Sequence, residues 1–277
     1  MAFVHLNFES MYLQGNTDVN VILPDRKRTQ TPAEFYGGKK KYKVLWLLHG
    51  TYGDYSDWVR KSNVELYACE RDLIVVMPSG LNADYVSWPD FACGYDMYSY
   101  LTEELMPLIY NWFPASVKRE DNFIAGLSMG GFGTCIYAFN HPEKFAAMCA
   151  MSGCPCDMTN QETVQTRTKL FSKRTENQLQ NAGGIEGYRD SVQNTWKLAR
   201  ELAKNPNAPK MLFTCGTDDP IMYDTYCKFK KYAAEIGLAA TFEETDGYSH
   251  EWRFLDISLQ RALAFFGLND AKQGNAF

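Results

Sequence analysis

Several features are scarce or missing in this sequence, and each absence removes a class of function. No apolar stretch approaches the length needed to cross a bilayer, so nothing reads as a transmembrane helix and no membrane partner is expected. Positive charge is not in excess: the net charge is −5, whereas binding phosphate backbones calls for a basic face, so no nucleic-acid partner is expected. The one basic run, Lys39-Lys40-Lys41 beside Gly37-Gly38, reads as a solvated turn. Only one close cysteine pair exists, Cys154-Pro155-Cys156; it lacks Cys-x-x-Cys spacing and the second pair that a zinc site needs. The other cysteines are spread thinly, and Cys135, Cys149 and Cys215 fall in apolar runs where a thiol is a small buried hydrophobe, so reduced thiols are expected. The opening residues Met1 to Phe8 lack a basic region followed by an apolar core, which leads us to expect no secretory signal and a cytoplasmic location. No metal-ligand cluster stands out, and no metal or organic cofactor is expected.

What is present is an ordinary globular composition, 45% hydrophobic and 22% charged, over 277 residues. That is enough for one large α/β domain spanning 1–277. Residues 3–8 and 18–23, separated by Gly15-Asn16, read as an antiparallel strand pair. From residue 43 the pattern changes to short continuous apolar runs at 44–48, 73–77 and 123–125, continued at 145–151 and 211–215, with a weaker member at 239–243. Such runs mark strands buried on both faces of a parallel sheet. Helical segments at 64–71, 97–113, 134–140, 223–236 and 252–266 alternate with them, which predicts a doubly wound, mostly parallel α/β sheet. About 154–209 breaks the alternation with a polar start at 159–168, Gly183-Gly184 and a helix around 191–204. An insertion at this point of the chain is expected to form a cap or lid over the active site.

The most informative stretch is Phe123-Ile124-Ala125-Gly126-Leu127-Ser128-Met129-Gly130-Gly131. An apolar strand feeds Gly-x-Ser-x-Gly and then a helix, which is the context of a nucleophile elbow. The tight turn lifts Ser128 above the sheet edge, and the helix N-terminus behind it presents N–H groups to a developing oxyanion. A serine nucleophile needs a base held by a carboxylate, arranged in the chain order serine, acid, histidine. Of the four histidines only His141 and His250 follow Ser128. His141, in Asn140-His141-Pro142 at the end of the nucleophile helix, points away from the elbow; His250 lies in the loop before the last helix and is the expected base. The acid is sought in Cys215-Gly216-Thr217-Asp218-Asp219-Pro220, where both aspartates are candidates; the Gly-x-x-Asp spacing favours Asp219, with Asp218 capping or solvated. The oxyanion donors are expected to be the N–H of Met129 and that of Thr51, in Leu48-His49-Gly50-Thr51-Tyr52-Gly53, with His49 packed beneath the loop.

On these residues the chain resembles the putative-esterase group of α/β-hydrolases. It looks close to bacterial tributyrin esterases and related to S-formylglutathione hydrolase (esterase D) and carbohydrate esterase family 1 feruloyl and acetylxylan esterases. The resemblance covers nearly the whole chain. It is carried by the Val19–Pro24 strand, the Leu47-Leu48-His49-Gly50 loop with Trp58, Ile74–Pro78, Gly94-Tyr95-Asp96, Glu104-Leu105, Phe113-Pro114, Ile124–Gly131, Cys215-Gly216 with Asp219, and His250-Glu251-Trp252. It implies an α/β-hydrolase fold, a Ser128, Asp219 and His250 triad, and oxyanion donors at Thr51 and Met129. The implied activity is that of a serine carboxylesterase on short-chain acyl esters, with feruloyl or acetyl esters of plant-derived saccharides as a variant. A thioesterase of the S-formylglutathione hydrolase type and an acyltransferase on the same fold are the alternatives. Gly50-Thr51-Tyr52-Gly53 departs from the Gly-Leu-Thr-Cys of S-formylglutathione hydrolases, and Pro220-Ile221-Met222-Tyr223 from the Phe-Leu-Tyr of tributyrin esterases. The aromatic segment 85–95 and the region around the base supply the expected substrate-pocket residues Tyr52, Trp88, Tyr95 and Trp252. A small-molecule ester is the expected partner, and a homo-oligomer is compatible with the aromatic surface.

Overall fold

The computed structural model describes residues 2–27 and 29–268. Among the described residues ten strands are formed: β1 (Ala2–Ser10), β2 (Gly15–Leu23), β3 (Lys43–Leu48), β4 (Leu73–Pro78), β5 (Ser87–Trp88), β6 (Tyr95–Asp96), β7 (Asn122–Leu127), β8 (Ala147–Met151), β9 (Lys210–Gly216) and β10 (Ala240–Thr245). Eight of them form one sheet in the order β1-β2-β4-β3-β7-β8-β9-β10, and β5 with β6 makes a separate small hairpin. β1 pairs antiparallel with β2, and β2 with β4; from β4 to β10 every pairing is parallel. This is the doubly wound sheet with an N-terminal antiparallel pair that the apolar runs predict.

The helices follow as α1 (Pro32–Tyr36), α2 (Asp57–Lys61), α3 (Val64–Glu70), α4 (Met97–Ser99), α5 (Met106–Trp112), α6 (Met129–Asn140), α7 (Gln161–Asn181), α8 (Gly184–Asp190), α9 (Thr195–Leu202), α10 (Tyr223–Glu235) and α11 (Trp252–Phe265). Among the described residues none is long and apolar enough to cross a membrane.

The two faces of the sheet are read directly off the strand period of two. On β3, Val44, Trp46 and Leu48 pack with Tyr137 and Phe139 of α6, Leu202 of α9 and Phe229 of α10. Their neighbours Leu45 and Leu47 pack on the opposite side with Val64 and Tyr67 of α3 and with Phe254, Leu259 and Leu263 of α11. Strands covered on both faces bury every other residue into a different core, which is why these runs are continuously apolar rather than alternating. At roughly 25 cal/mol per Å² of apolar surface removed from water, these two layers supply the main driving force for the fold.

One sequence expectation needs amendment. The helix expected over 97–113 is α4, a wider π-turn at Tyr100–Leu105, and α5. Pro107, in the first turn of α5, has no N–H to donate back into the preceding turn, so the α-type ladder cannot run through unbroken. The wide turn is put to use: Glu104 accepts from the Ser10 hydroxyl and, at 2.9 Å, from the Met11 N–H, tying the β1–β2 turn to this segment. The stretch 159–168 reads from the sequence only as polar. From Gln161 it is the first part of the 21-residue α7, capped by Asn160, whose Oδ1 accepts the Thr163 N–H at 3.1 Å. Helix α7 leaves helical geometry at Phe171 (φ −137°, ψ 40°). The segment between β8 and β9 thus comprises three helices, α7 to α9. All eight cysteines are free thiols, with Cys135, Cys149, Cys154, Cys156 and Cys215 buried.

Candidate active site

Ser128 lies between β7 and α6 with φ 52° and ψ −113°, a left-handed backbone that a non-glycine residue holds at a cost of about 1–3 kcal/mol. The turn is locked by the Ser128 N–H, which donates to Met151 O on β8 at 2.8 Å. Two glycines make it possible. A Cβ on Gly126 would stand 2.3 Å from Gly130 O, and a Cβ on Gly130 would stand 2.5 Å from Leu48 O and 2.7 Å from His49 O. The helix therefore starts against the end of β3 with no room for any side chain. Met129 is the first residue of α6, so its N–H has no carbonyl of the helix to bond. The partial positive charge of the helix start adds to that donor.

The loop after β3 is braced from below. His49 Nδ1–H donates to Gly50 O at 2.7 Å while its Nε2 accepts the Gly80 N–H at 2.7 Å, which fixes one neutral tautomer. Burial holds the His49 pKa below its usual value, so the ring stays uncharged in this role. The Tyr85 hydroxyl donates to His49 O at 3.0 Å, and Trp58 Nε1–H donates to Leu48 O at 3.0 Å. Above this brace, the Thr51 N–H takes no acceptor among the described residues. The Thr51 hydroxyl accepts from Arg174 Nη1 on α7 at 2.5 Å, and the same guanidinium forks onto Asp84, with Nε to Oδ2 at 3.1 Å and Nη2 to Oδ1.

Beyond β9, Asp219 is almost fully buried at 3% exposure. Its Oδ2 accepts from His250 Nδ1–H at 2.8 Å, and its Oδ1 accepts the N–H groups of Ile221 at 2.9 Å and Met222 at 3.0 Å. Burial pushes its pKa up, but the His250 hydrogen bond and charge and the two backbone donors outweigh it, so the net shift is downward. Asp219 is thus an ionised carboxylate that orients one ring nitrogen of His250 and leaves Nε2 for other work. Asp218 is exposed, donates its N–H to Tyr248 O at 3.0 Å, and does not touch the imidazole. His141 ends α6, hydrogen-bonded to the Tyr98 hydroxyl at 2.9 Å.

Ser128, Met129, Thr51 and His250 line one cavity of about 890 Å³. Of the expected pocket residues, Tyr52, Trp88 and Trp252 line it as well. Trp252 is set edge-on to Trp58 at 5.2 Å between centroids, and Trp88 is fixed by its Nε1–H donating to Ala83 O at 2.8 Å. Tyr95 does not line the cavity. The β5–β6 hairpin turns it inward, 8% exposed, against buried Met97 and beneath the exposed ring of Phe91, and burial raises its pKa far above the usual phenol value. The aromatic segment 85–95 contributes one wall residue rather than two. Sequence reasoning missed the opposite wall, made of Phe132 at the start of α6 and of Arg167, Leu170, Phe171 and Arg174 from α7. No local signal marks them, because only the fold brings α7 over Ser128.

Residues 10–263 match the family model described as Putative esterase. The chain belongs to the putative esterase family. It is 28% identical over 275 residues to the acetyl esterase of Caldicellulosiruptor saccharolyticus, a match covering 95% of this chain and 97% of the relative. Among solved structures it is similar to the S-formylglutathione hydrolase FrmB of Staphylococcus aureus, with TM-score 0.77, 28% identity, and 97% and 99% of the two chains covered. It is also similar to the substrate-bound fluorophosphonate-binding serine hydrolase F of the same organism, with TM-score 0.76, 26% identity and the same coverage. This esterase is therefore a carboxylic ester hydrolase with the α/β-hydrolase fold, acting on small-molecule esters.

Proposed function

We propose that this esterase cleaves short-chain acyl esters through a Ser128, His250 and Asp219 triad and an acyl-enzyme intermediate. The observation that carries the reading is the 2.8 Å bond from His250 Nδ1 to a buried, ionised Asp219, in a cavity that also holds Ser128 on its strained turn. Ser128 Oγ attacks the ester carbonyl carbon while His250 Nε2 takes the hydroxyl proton. The tetrahedral oxygen accepts from the Met129 and Thr51 N–H groups, each of which has no acceptor among the described residues. Collapse breaks the bond to the alcohol, which leaves with the proton held on His250. Water then attacks the acyl-serine, passing a proton to the same nitrogen, and the acid is released with Ser128 restored. Asp219 holds the tautomer throughout and stabilises the imidazolium. The α7–α9 insertion serves as the cap of this site, supported by the α7 side chains in the cavity wall.

Trp88, Trp252 and Tyr52 give the cavity aromatic surface that suits small acyl groups and, as a variant, feruloyl esters. A thioesterase of the S-formylglutathione type is the second reading, favoured by the likeness to FrmB over 97% of the chain. The test is hydrolysis of 4-nitrophenyl esters from acetate to laurate, with methyl ferulate and S-formylglutathione alongside. A maximum at short acyl chains supports the carboxylesterase, and a dominant rate on S-formylglutathione would replace it with the thioesterase. Turnover only when an acceptor alcohol is supplied would make the protein an acyltransferase instead.

A further inference from the structure

The cavity wall carries more positive charge than its neighbours neutralise. Four cations line it: Lys61, Arg167, Lys173 and Arg174. Two are paired within the wall, Lys61 with Asp57 at 2.9 Å and Arg174 with Asp84. Arg167 and Lys173 have no salt-bridge partner among the described residues, although the chain as a whole is acidic at −5. Lys173 is exposed and solvated. Arg167 is different. Its guanidinium lies 5.0 Å from the ring centroid of Phe132 and 5.7 Å from that of Phe171, and its Nε is shut off from solvent without any hydrogen-bond partner. Both rings belong to the wall of the same cavity as Ser128 and His250. The aromatic faces fix the plane of the fork and leave its N–H edges unused, and an unused fork in a low-dielectric cleft is suited to a planar anion.

We propose that this esterase is selective for esters that carry an anionic group, a carboxylate or phosphate, on the part of the molecule lying under α7, with Arg167 as the residue that binds it. The proposal rests on the reading of Ser128 as the nucleophile in this cavity. Arg167 is a binding residue and takes no part in the proton transfers. Asp57 and Asp84, the acidic groups of the same wall, are already held by Lys61 and Arg174 and so do not compete for it. Lys173 adds long-range attraction at the mouth, which salt should screen.

The experiment compares matched neutral and anionic esters in wild type, Arg167→Gln and Arg167→Lys. One pair places the charge on the acyl side, 4-nitrophenyl butyrate against mono-4-nitrophenyl succinate; the other places it on the leaving group, phenyl acetate against 3-acetoxybenzoate. The expected result is a wild-type preference for the anionic member of at least one pair, weakened by added salt. Arg167→Gln should lower kcat/KM on that anionic ester by about 10-fold to 100-fold, through KM, and leave the neutral ester within about 2-fold. Arg167→Lys should fall between, keeping the charge and losing the fork. Neutral esters turned over with no anionic preference in either pair would overturn the proposal while leaving the nucleophile reading intact. An equal loss on neutral and anionic esters in Arg167→Gln would also overturn it, since the residue would then be supporting the fold of α7. Absence of turnover on all four esters in wild type would overturn both readings.

Discussion

Replacing Arg174 by Met removes one ion pair, which joins α7 to the loop after β4, and one hydrogen bond, which joins it to the loop after β3. The Asp84 side chain is 7% exposed and that of Arg174 24%. Removing one partner of a fully buried pair costs about 3–5 kcal/mol, mostly because the other charge is left buried alone. Arg174 is about a quarter open to water, so a discounted cost of about 2 kcal/mol is appropriate. At about 2–4 °C per kcal/mol for a domain of this size, Tm should fall by about 4–8 °C. The catalytic effect has a separate origin. Arg174 Nη1 holds the Thr51 hydroxyl at 2.5 Å, and releasing it loosens the residue whose N–H we propose as an oxyanion donor. Complete loss of one such donor costs about 100-fold to 1,000-fold in kcat, so partial misplacement is expected to cost about 10-fold. Calorimetry gives the first number, and kcat and KM on 4-nitrophenyl acetate the second. The double variant Asp84→Asn with Arg174→Met should recover much of the lost Tm, because the stranded carboxylate is gone, but not the lost kcat. A variant Arg174→Met with wild-type Tm and kcat would refute the reasoning, as would a double variant whose Tm loss is the sum of the single losses.

Three further outcomes follow from the same geometry. Gly130→Ala forces a methyl to within 2.5 Å of Leu48 O and should destabilise the fold by about 2–4 kcal/mol in denaturant titration, with loss of esterase turnover. Asp219→Asn should keep the fold at neutral pH and lower kcat by about 10,000-fold, read in the same ester assay. Because the folded pKa of Asp219 is depressed below 3.8, its contribution to stability is complete above that value and is lost only as pH falls through the lower folded value. Wild type should therefore lose stability on acidification below pH 3.8 more steeply than Asp219→Asn; parallel acid profiles would contradict this. Titration of the native protein with a thiol reagent should modify exposed Cys93 and Cys227 first and partly buried Cys69 slowly, its pKa pushed up to about 11 by burial. The remaining five thiols should react only on unfolding.

How far the sequence could be read depended on whether each feature is set locally. The strands at 44–48, 73–77 and 123–125 announce themselves because both faces are buried, and Gly126 and Gly130 are required by contacts within one turn and one adjacent strand end. Between Asp218 and Asp219 the Gly-x-x-Asp spacing already favoured Asp219, and in the fold only Asp219 turns inward, with its Oδ1 taking two N–H groups and its Oδ2 meeting His250. The polar half of α7 was illegible because its inner face meets a cavity rather than a core, so residues 159–168 carry no apolar period. Tyr95 and Trp88 look alike in a sequence, yet the short β5–β6 hairpin leaves one buried in the core and the other at the cavity. Arg174 meets Thr51 and Asp84 across 123 and 90 residues, a pairing that no local pattern encodes.

The claim on which everything else depends is that Ser128 is the nucleophile. The decisive measurement is reaction of the native protein with a fluorophosphonate, followed by intact mass and peptide mapping, in wild type and Ser128→Ala. The expected result is one adduct per chain on Ser128, loss of ester hydrolysis in step with its formation, and neither adduct nor hydrolysis in Ser128→Ala. An adduct on another residue that abolishes activity, or undiminished hydrolysis by Ser128→Ala, would contradict the account.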